Sequence, residues 1–169
     1  LIGRDHGGSE EDDKTSQDTV FQCIRQNTGS SGTPLIGSSG LSVQYAILMG
    51  LVEYAMTRHP GRPICVLVPP NCYGGTNDQT RRVAALIPHV SIVDMFVDGG
   101  KDMVSSMDAA LDLVAEQGGV PLVLAEIPTN PRVEVPDMSS LAAVLNAPRI
   151  TPGGEKAVSP VFMVDQTFC

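Results

Sequence analysis

Three side chains stand where chemistry could gather. Asp165 closes the apolar stretch Val161-Phe162-Met163-Val164, Asn130 lies in the turn Pro128-Thr129-Asn130-Pro131, and Tyr73 precedes Gly74-Gly75-Thr76. An acid, an amide and an aromatic ring can hold a flat, polar heteroaromatic ring from three sides. The carboxylate would favour a protonated ring nitrogen, because an opposite charge at hydrogen-bond distance stabilises the charged form. The tyrosine would stack on the ring, an offset contact worth about 0.5–1.5 kcal/mol beyond its buried area. Pro128 and Pro131 push the residues before them toward extended backbone and so stiffen the turn around Asn130. A fourth element, Ser38-Ser39-Gly40-Leu41, leads into a helical pattern. A glycine at such a start lets the backbone approach an anion, and the free N–H groups and helix dipole favour negative charge there.

Each of these groups has a plainer use. Ser39-Gly40 can be an ordinary serine cap with a flexible glycine, Tyr73 a turn residue, Asn130 a common Asn-Pro turn starter and Asp165 an incidental acid at a strand end. A dinucleotide-binding loop does not fit, since Gly37-Ser-Ser-Gly40 lacks the GxGxxG spacing and a convincing strand before it.

The elements that must position these groups follow from periodicity. Leu41, Tyr45, Leu48, Met49, Val52, Ala55 and Met56 recur at helical spacing. Residues 64–68, Ile-Cys-Val-Leu-Val, form an apolar run between Pro63 and Pro69, as expected of a strand buried on both faces. Thr76 to Leu86 reads as a helix with Asn77 or Asp78 available to cap it, and Ser105 to Glu116 and Met138 to Leu145 read as two more. Val90 to Val97, Leu122 to Ile127 and Val161 to Asp165 are the remaining strand candidates. Strands alternating with helices predict an α/β fold, a mostly parallel sheet with helices on both faces. Ligand groups then belong at the carboxyl ends of the strands, where Tyr73, Asn130 and Asp165 fall. Residues 147–160, with three prolines and Gly153-Gly154, read as an exposed loop.

Composition narrows the partners. The 169 residues carry a net charge of −8, and the eleven basic residues form no stripe, which argues against nucleic acid. No apolar run reaches the length of a membrane span. Cys23, Cys65, Cys72 and Cys169 lack CxxC spacing, so a metal site is not expected and free thiols in a reducing cytosol fit. Residues 1–19, with the run Glu10-Glu11-Asp12-Asp13, read as a flexible acidic lead-in to a domain over 20–169.

The order Ser39-Gly40-Leu41, Tyr73-Gly74-Gly75-Thr76, Pro128-Thr129-Asn130-Pro131 and Asp165-Gln166-Thr167-Phe168 resembles the pyridoxal-phosphate enzymes of cysteine and methionine metabolism, the cystathionine synthase and lyase family. The resemblance runs from about Gly37 to Phe168. It implies part of the large domain of a fold-type I (aspartate aminotransferase-like) enzyme, with pyridoxal 5'-phosphate as cofactor and an amino-acid substrate. It implies that the Gly40 and Leu41 amides bind phosphate, Tyr73 stacks on the pyridine ring, Asn130 donates to the ring oxygen, Asp165 holds the ring nitrogen and Thr167 lies against the ring. It also implies a homo-oligomer for the full-length protein. There are departures. The Tyr and Arg that neighbouring subunits contribute are not seen before Ser38, and Ile127 fills a place the family gives to a small residue. The chain ends at Cys169, before the family's cofactor-bonding lysine, and Lys14, Lys101 and Lys156 stand in other contexts. A chain with no catalytic residue of its own, inactive alone, is therefore expected. A non-catalytic stand-alone domain and a fragment of a sister enzyme such as an aminotransferase remain open.

Overall fold

The structure, a computed structural model, describes residues 10–70, 72–96 and 102–168, with side chains from Lys14 onward. It divides into two units, one ending at Ser39 and the other beginning at Gly40. In the first, helix α1 spans Glu10–Thr28. It ends on Gly29, whose φ of +68° suits a residue without a side chain and whose N–H reaches the Arg25 carbonyl at 2.9 Å. The boundary expected at residue 19 thus falls inside a helix, and the compact α/β unit starts some twenty residues later.

The second unit alternates as the apolar pattern requires. Its elements are α2 (Gly40–Arg58), β1 (Ile64–Val68), α3 (Gly74–Leu86), β2 (Val90–Asp94), α4 (Met103–Glu116), β3 (Val120–Glu126), α5 (Met138–Asn146) and β4 (Val161–Asp165). The four strands form one sheet in the order β2-β1-β3-β4, and every pairing is parallel. Every residue of the central strands β1 and β3 is buried, which is why β1 reads as an unbroken apolar run and β3 as one broken only at its last residue, Glu126.

Successive side chains of a strand point to opposite faces, and the core divides accordingly. Cys65, Leu67, Val123 and Ala125 pack with Met103, Met107, Leu111 and Val114 of α4 and Leu141 of α5. Ile64, Val66, Val68, Leu122 and Leu124 pack with Leu48, Val52 and Ala55 of α2 and Val83 of α3. The β1-to-β2 crossover through α3 covers one face. The β2-to-β3 and β3-to-β4 crossovers, through α4 and α5, run the other way and cover the other, as right-handed connections require. The chain therefore leaves β1 and β3 toward opposite faces and opens a crevice at their carboxyl ends.

Three local expectations are corrected. Helix α3 begins at Gly74, with Tyr73 at its cap position and no side-chain cap bond. Asn77 instead lies in the first turn and reaches back to the Pro70 carbonyl at 2.7 Å, while Asp78 pairs with Arg82 one turn on. Strand β2 stops at Asp94 rather than running to Val97, which lies outside the described residues. Met95 still bonds the Val68 carbonyl at 3.0 Å, but its side chain is fully buried against α4. The segment 147–160 is pinned rather than simply exposed. Ile150 bridges Lys156, and the Arg149 side chain is only 11% exposed.

Arg149 spreads its guanidinium over two helices. Nε donates to Asp112 at 2.7 Å, Nη2 pairs with Asp108, and Nη1 donates to the α5 end at the Val144 carbonyl (3.0 Å) and to Ala147 (3.3 Å). A cavity of about 480 Å³ lies beside it at the amino end of β4, with Phe162, Leu111 and Lys156 in its wall. Arg149→Ala is expected to lower stability by about 1–3 kcal/mol, since it strips donors from helix-end carbonyls while its aspartates stay solvated. Lysine should recover little, because it lacks the planar fork. Urea unfolding of the two variants checks both statements, and a lysine variant as stable as wild type would contradict them.

Candidate functional site

Of the expected groups Asp165 lines the crevice, together with Gln44, Thr76 and Glu126, which the sequence left unmarked, while Tyr73 and Thr167 hydrogen-bond to residues of its lining. Asp165, the last residue of β4, lies in register with Glu126, the last residue of β3. Its Oδ2 accepts from Gln44 Nε2 at 2.7 Å, although 121 residues separate the two in sequence. Gln44 Oε1 in turn accepts from Thr76 Oγ1 at 2.8 Å, so α2, α3 and β4 meet in one chain of polar contacts. On the other oxygen, Oδ1 accepts the Thr167 N–H at 3.0 Å and the Thr167 hydroxyl at 2.6 Å. A carboxylate has about four acceptor positions; these three bonds fix its orientation and leave Oδ2 able to accept once more. Thr167, expected against a bound ring, uses its hydroxyl on Asp165.

Tyr73 and Asn130 meet at Glu126. The Tyr73 N–H donates to Glu126 Oε2 at 3.0 Å, and the Asn130 backbone amide, four residues on from Glu126, helps to lower the same carboxyl. Glu126 is only 5% exposed. Burial, and secondarily the negative charge of Asp165, push its carboxyl above the ordinary value, while the two amides draw it down. Cys72 is pushed up to about 11, first by burial and then by the charge of Glu126. Tyr73 is 49% exposed. Asn130 is half-buried in a turn held by Thr129, whose N–H bonds the Glu134 carbonyl at 3.0 Å and whose hydroxyl accepts from the Glu134 N–H at 3.0 Å.

Gly40 and Leu41 form the first turn of α2. The Leu41 carbonyl accepts from Gln79 Nε2 at 3.2 Å, which ties this helix start to α3. Gly75 permits the close approach here. A Cβ at that position would stand 2.6 Å from Tyr73 Cε1 and 3.0 Å from Leu41 Cδ1. Gly75→Ala is therefore expected to turn the Tyr73 ring out of place. Helix propensity alone would make alanine about 1 kcal/mol better than glycine, so the net stability change should be small while the ring moves. Changed Tyr73 ring resonances with near-unchanged unfolding energy are the expected result; unaltered ring resonances would contradict it.

The enclosed part of the crevice, between Gln44, Thr76, Glu126 and Asp165, holds only about 10 Å³. That is room for about one water. A ring-sized ligand must therefore lie outside this enclosed part. The donor set suits a pyridine ring bearing a phosphate: a fixed carboxylate with an acceptor to spare, an exposed aromatic face and the amides of a helix start. Gln44, Thr76 and Glu126 were not marked as site residues by the sequence. Gln44 and Thr76 stand where helical spacing from Gly40 and the Tyr-Gly-Gly-Thr motif could have suggested them, and Glu126 stands two residues before the Pro-Thr-Asn-Pro turn. Among the described residues no cluster of three or more His, Cys, Asp or Glu could hold a metal, and no helix is long and apolar enough to cross a membrane.

The sequence matches no protein-family model and no curated protein. Among solved structures it is similar to the crystal structure of cystathione gamma lyase (CalE6) from Micromonospora echinospora, at 19% identity and a TM-score of 0.58. The likeness covers 90% of this chain and 32% of that one, so the chain corresponds to about a third of that protein. At this identity the shared property is the fold.

Proposed function

We propose that this chain is the cofactor-binding part of a pyridoxal-phosphate-dependent lyase or transferase of sulfur amino-acid metabolism, acting on compounds such as cystathionine, homocysteine or methionine. The observation that carries the reading is Asp165, a carboxylate fixed by Gln44 and Thr167 at the carboxyl end of a parallel strand, beside the loop that carries Tyr73. The motif order and the similarity in fold to a cystathione gamma lyase support it. When bound, the cofactor supplies an electron sink that is deepest with its ring nitrogen protonated. Asp165 would hold that proton, Tyr73 would cover the ring face, Asn130 and Thr167 would flank it, and the Gly40 and Leu41 amides would take the phosphate. Such an arrangement binds and orients; it does not move a substrate proton.

Lys156 lies in the segment before β4, at the opposite end of that strand from Asp165, so it is not the amine the chemistry needs. The chain by itself is accordingly read as binding without turnover, within a cytoplasmic, homo-oligomeric longer protein. A second reading, a non-catalytic stand-alone domain, is favoured by the small enclosed volume of the crevice. Equilibrium titration of the purified chain with pyridoxal phosphate should saturate at one site. Ammonia or thiol release from cystathionine should not exceed that of free cofactor. Absence of saturable binding would remove the proposal, and release above the control would remove the claim of inactivity.

A further inference from the structure

We infer that Glu126 is a positioning residue, the single side chain that fixes the Tyr73 loop and the Asn130 loop against each other; the inference rests on the crevice being the cofactor site. The two loops leave the sheet toward opposite faces, one running to α3 and the other to α5. The Tyr73 N–H nevertheless turns inward to the Glu126 carboxylate at 3.0 Å, and the Asn130 backbone amide, four residues after Glu126, acts on the same group. Glu126 is the one buried carboxylate among the described residues. A buried charge is costly unless hydrogen-bonded, and here the bond comes from the backbone of the Tyr73 loop, while the Glu126 carboxylate itself stands at the root of the Asn130 loop.

The choice of residue follows from the donors. A carboxylate accepts on both oxygens, whereas glutamine has one oxygen and an amide that donates. Two converging N–H groups therefore suit glutamate and leave glutamine with a donor facing a donor. Aspartate is one methylene shorter and would not reach from the end of β3 to both loops. The carboxylate itself is kept from the cofactor face by its burial, so Glu126 acts through Tyr73 and Asn130.

The test compares Glu126→Ala, Glu126→Gln and wild type by residue-resolved amide hydrogen exchange without cofactor, then by titration with pyridoxal phosphate. In Glu126→Ala the Tyr73 and Asn130 amides should exchange at least about tenfold faster, with Leu67 and Val123 in the core within about twofold of wild type. Glu126→Gln should recover part of the protection, and it stands in should the alanine variant not fold. The dissociation constant for the cofactor should rise about tenfold in the alanine variant. Unchanged exchange at Tyr73 and Asn130, or acceleration shared equally by the core amides, would overturn the inference. So would faster exchange at both loops with cofactor affinity unchanged. Should wild type bind no cofactor, the exchange result still decides whether Glu126 ties the loops, and the failure belongs to the proposed function.

Discussion

Asp165→Ala should raise the dissociation constant for pyridoxal phosphate about 10- to 100-fold. The estimate comes from the loss of one hydrogen bond between charged groups, about 1.5–3 kcal/mol, and each 1.4 kcal/mol is about a factor of ten. The substitution also removes the acceptor for Gln44 Nε2 and for both Thr167 donors, so the far wall of the crevice loses its anchor. Asp165→Asn separates the two effects. Asparagine keeps the shape and one acceptor but cannot stabilise a protonated ring nitrogen, so binding should weaken while the fold around Gln44 survives. Fluorescence or absorbance titration of the three proteins is the measurement. An alanine variant within twofold of wild type would take Asp165 out of the site.

Leu67→Ala should lower the unfolding free energy by about 2–5 kcal/mol, the usual range for a large-to-small change in a tight core. Leu67 is fully buried in β1, one of the two strands that pair on both sides, and it packs in the cluster formed with α4. A domain of this size has only about 5–15 kcal/mol of net stability, so the variant should melt far earlier or fail to fold near body temperature. Urea denaturation at neutral pH gives the number. A loss below about 1 kcal/mol would mean that the sheet is not the centre of the fold. By contrast, the exposed ion pair between Arg82 and Asp78 should contribute little, since surface pairs are typically worth under about 1 kcal/mol.

The strands were legible where burial is complete. Residues 64–68 need apolar side chains at every position because both faces of β1 are covered, and the flanking prolines stop the ladder. The ends were less legible where tertiary contacts override the local pattern. Met95, Phe96 and Val97 continue an apolar run, yet Met95 turns under α4 and the Phe96 carbonyl takes the Ser106 hydroxyl, so the ladder closes at Asp94. Polar residues at a helix start were misleading for a related reason. Asn77 has a capping side chain, but the Pro69-Pro70 carbonyls lie within its reach one turn inside the helix.

For the site, local sequence determined which side chains arrive at strand ends: Tyr73 after β1, Asn130 after β3 and Asp165 on β4. Periodicity fixes where a strand stops, and in parallel sheets that end is where loops gather. Only the tertiary structure decided what these groups do to one another. Gln44 reaches Asp165 across 121 residues because α2 packs on the face that places its first turn over β4's end. Glu126 meets Tyr73 across 53 residues because β1 and β3 lie side by side, an adjacency the chain order β1-β2-β3 does not reveal. Local spacing constrains a residue's backbone and face within a few turns. The pairing of strands, and with it the hydrogen-bond partners and buried charge of the crevice, depends on how the whole apolar surface can be covered at once.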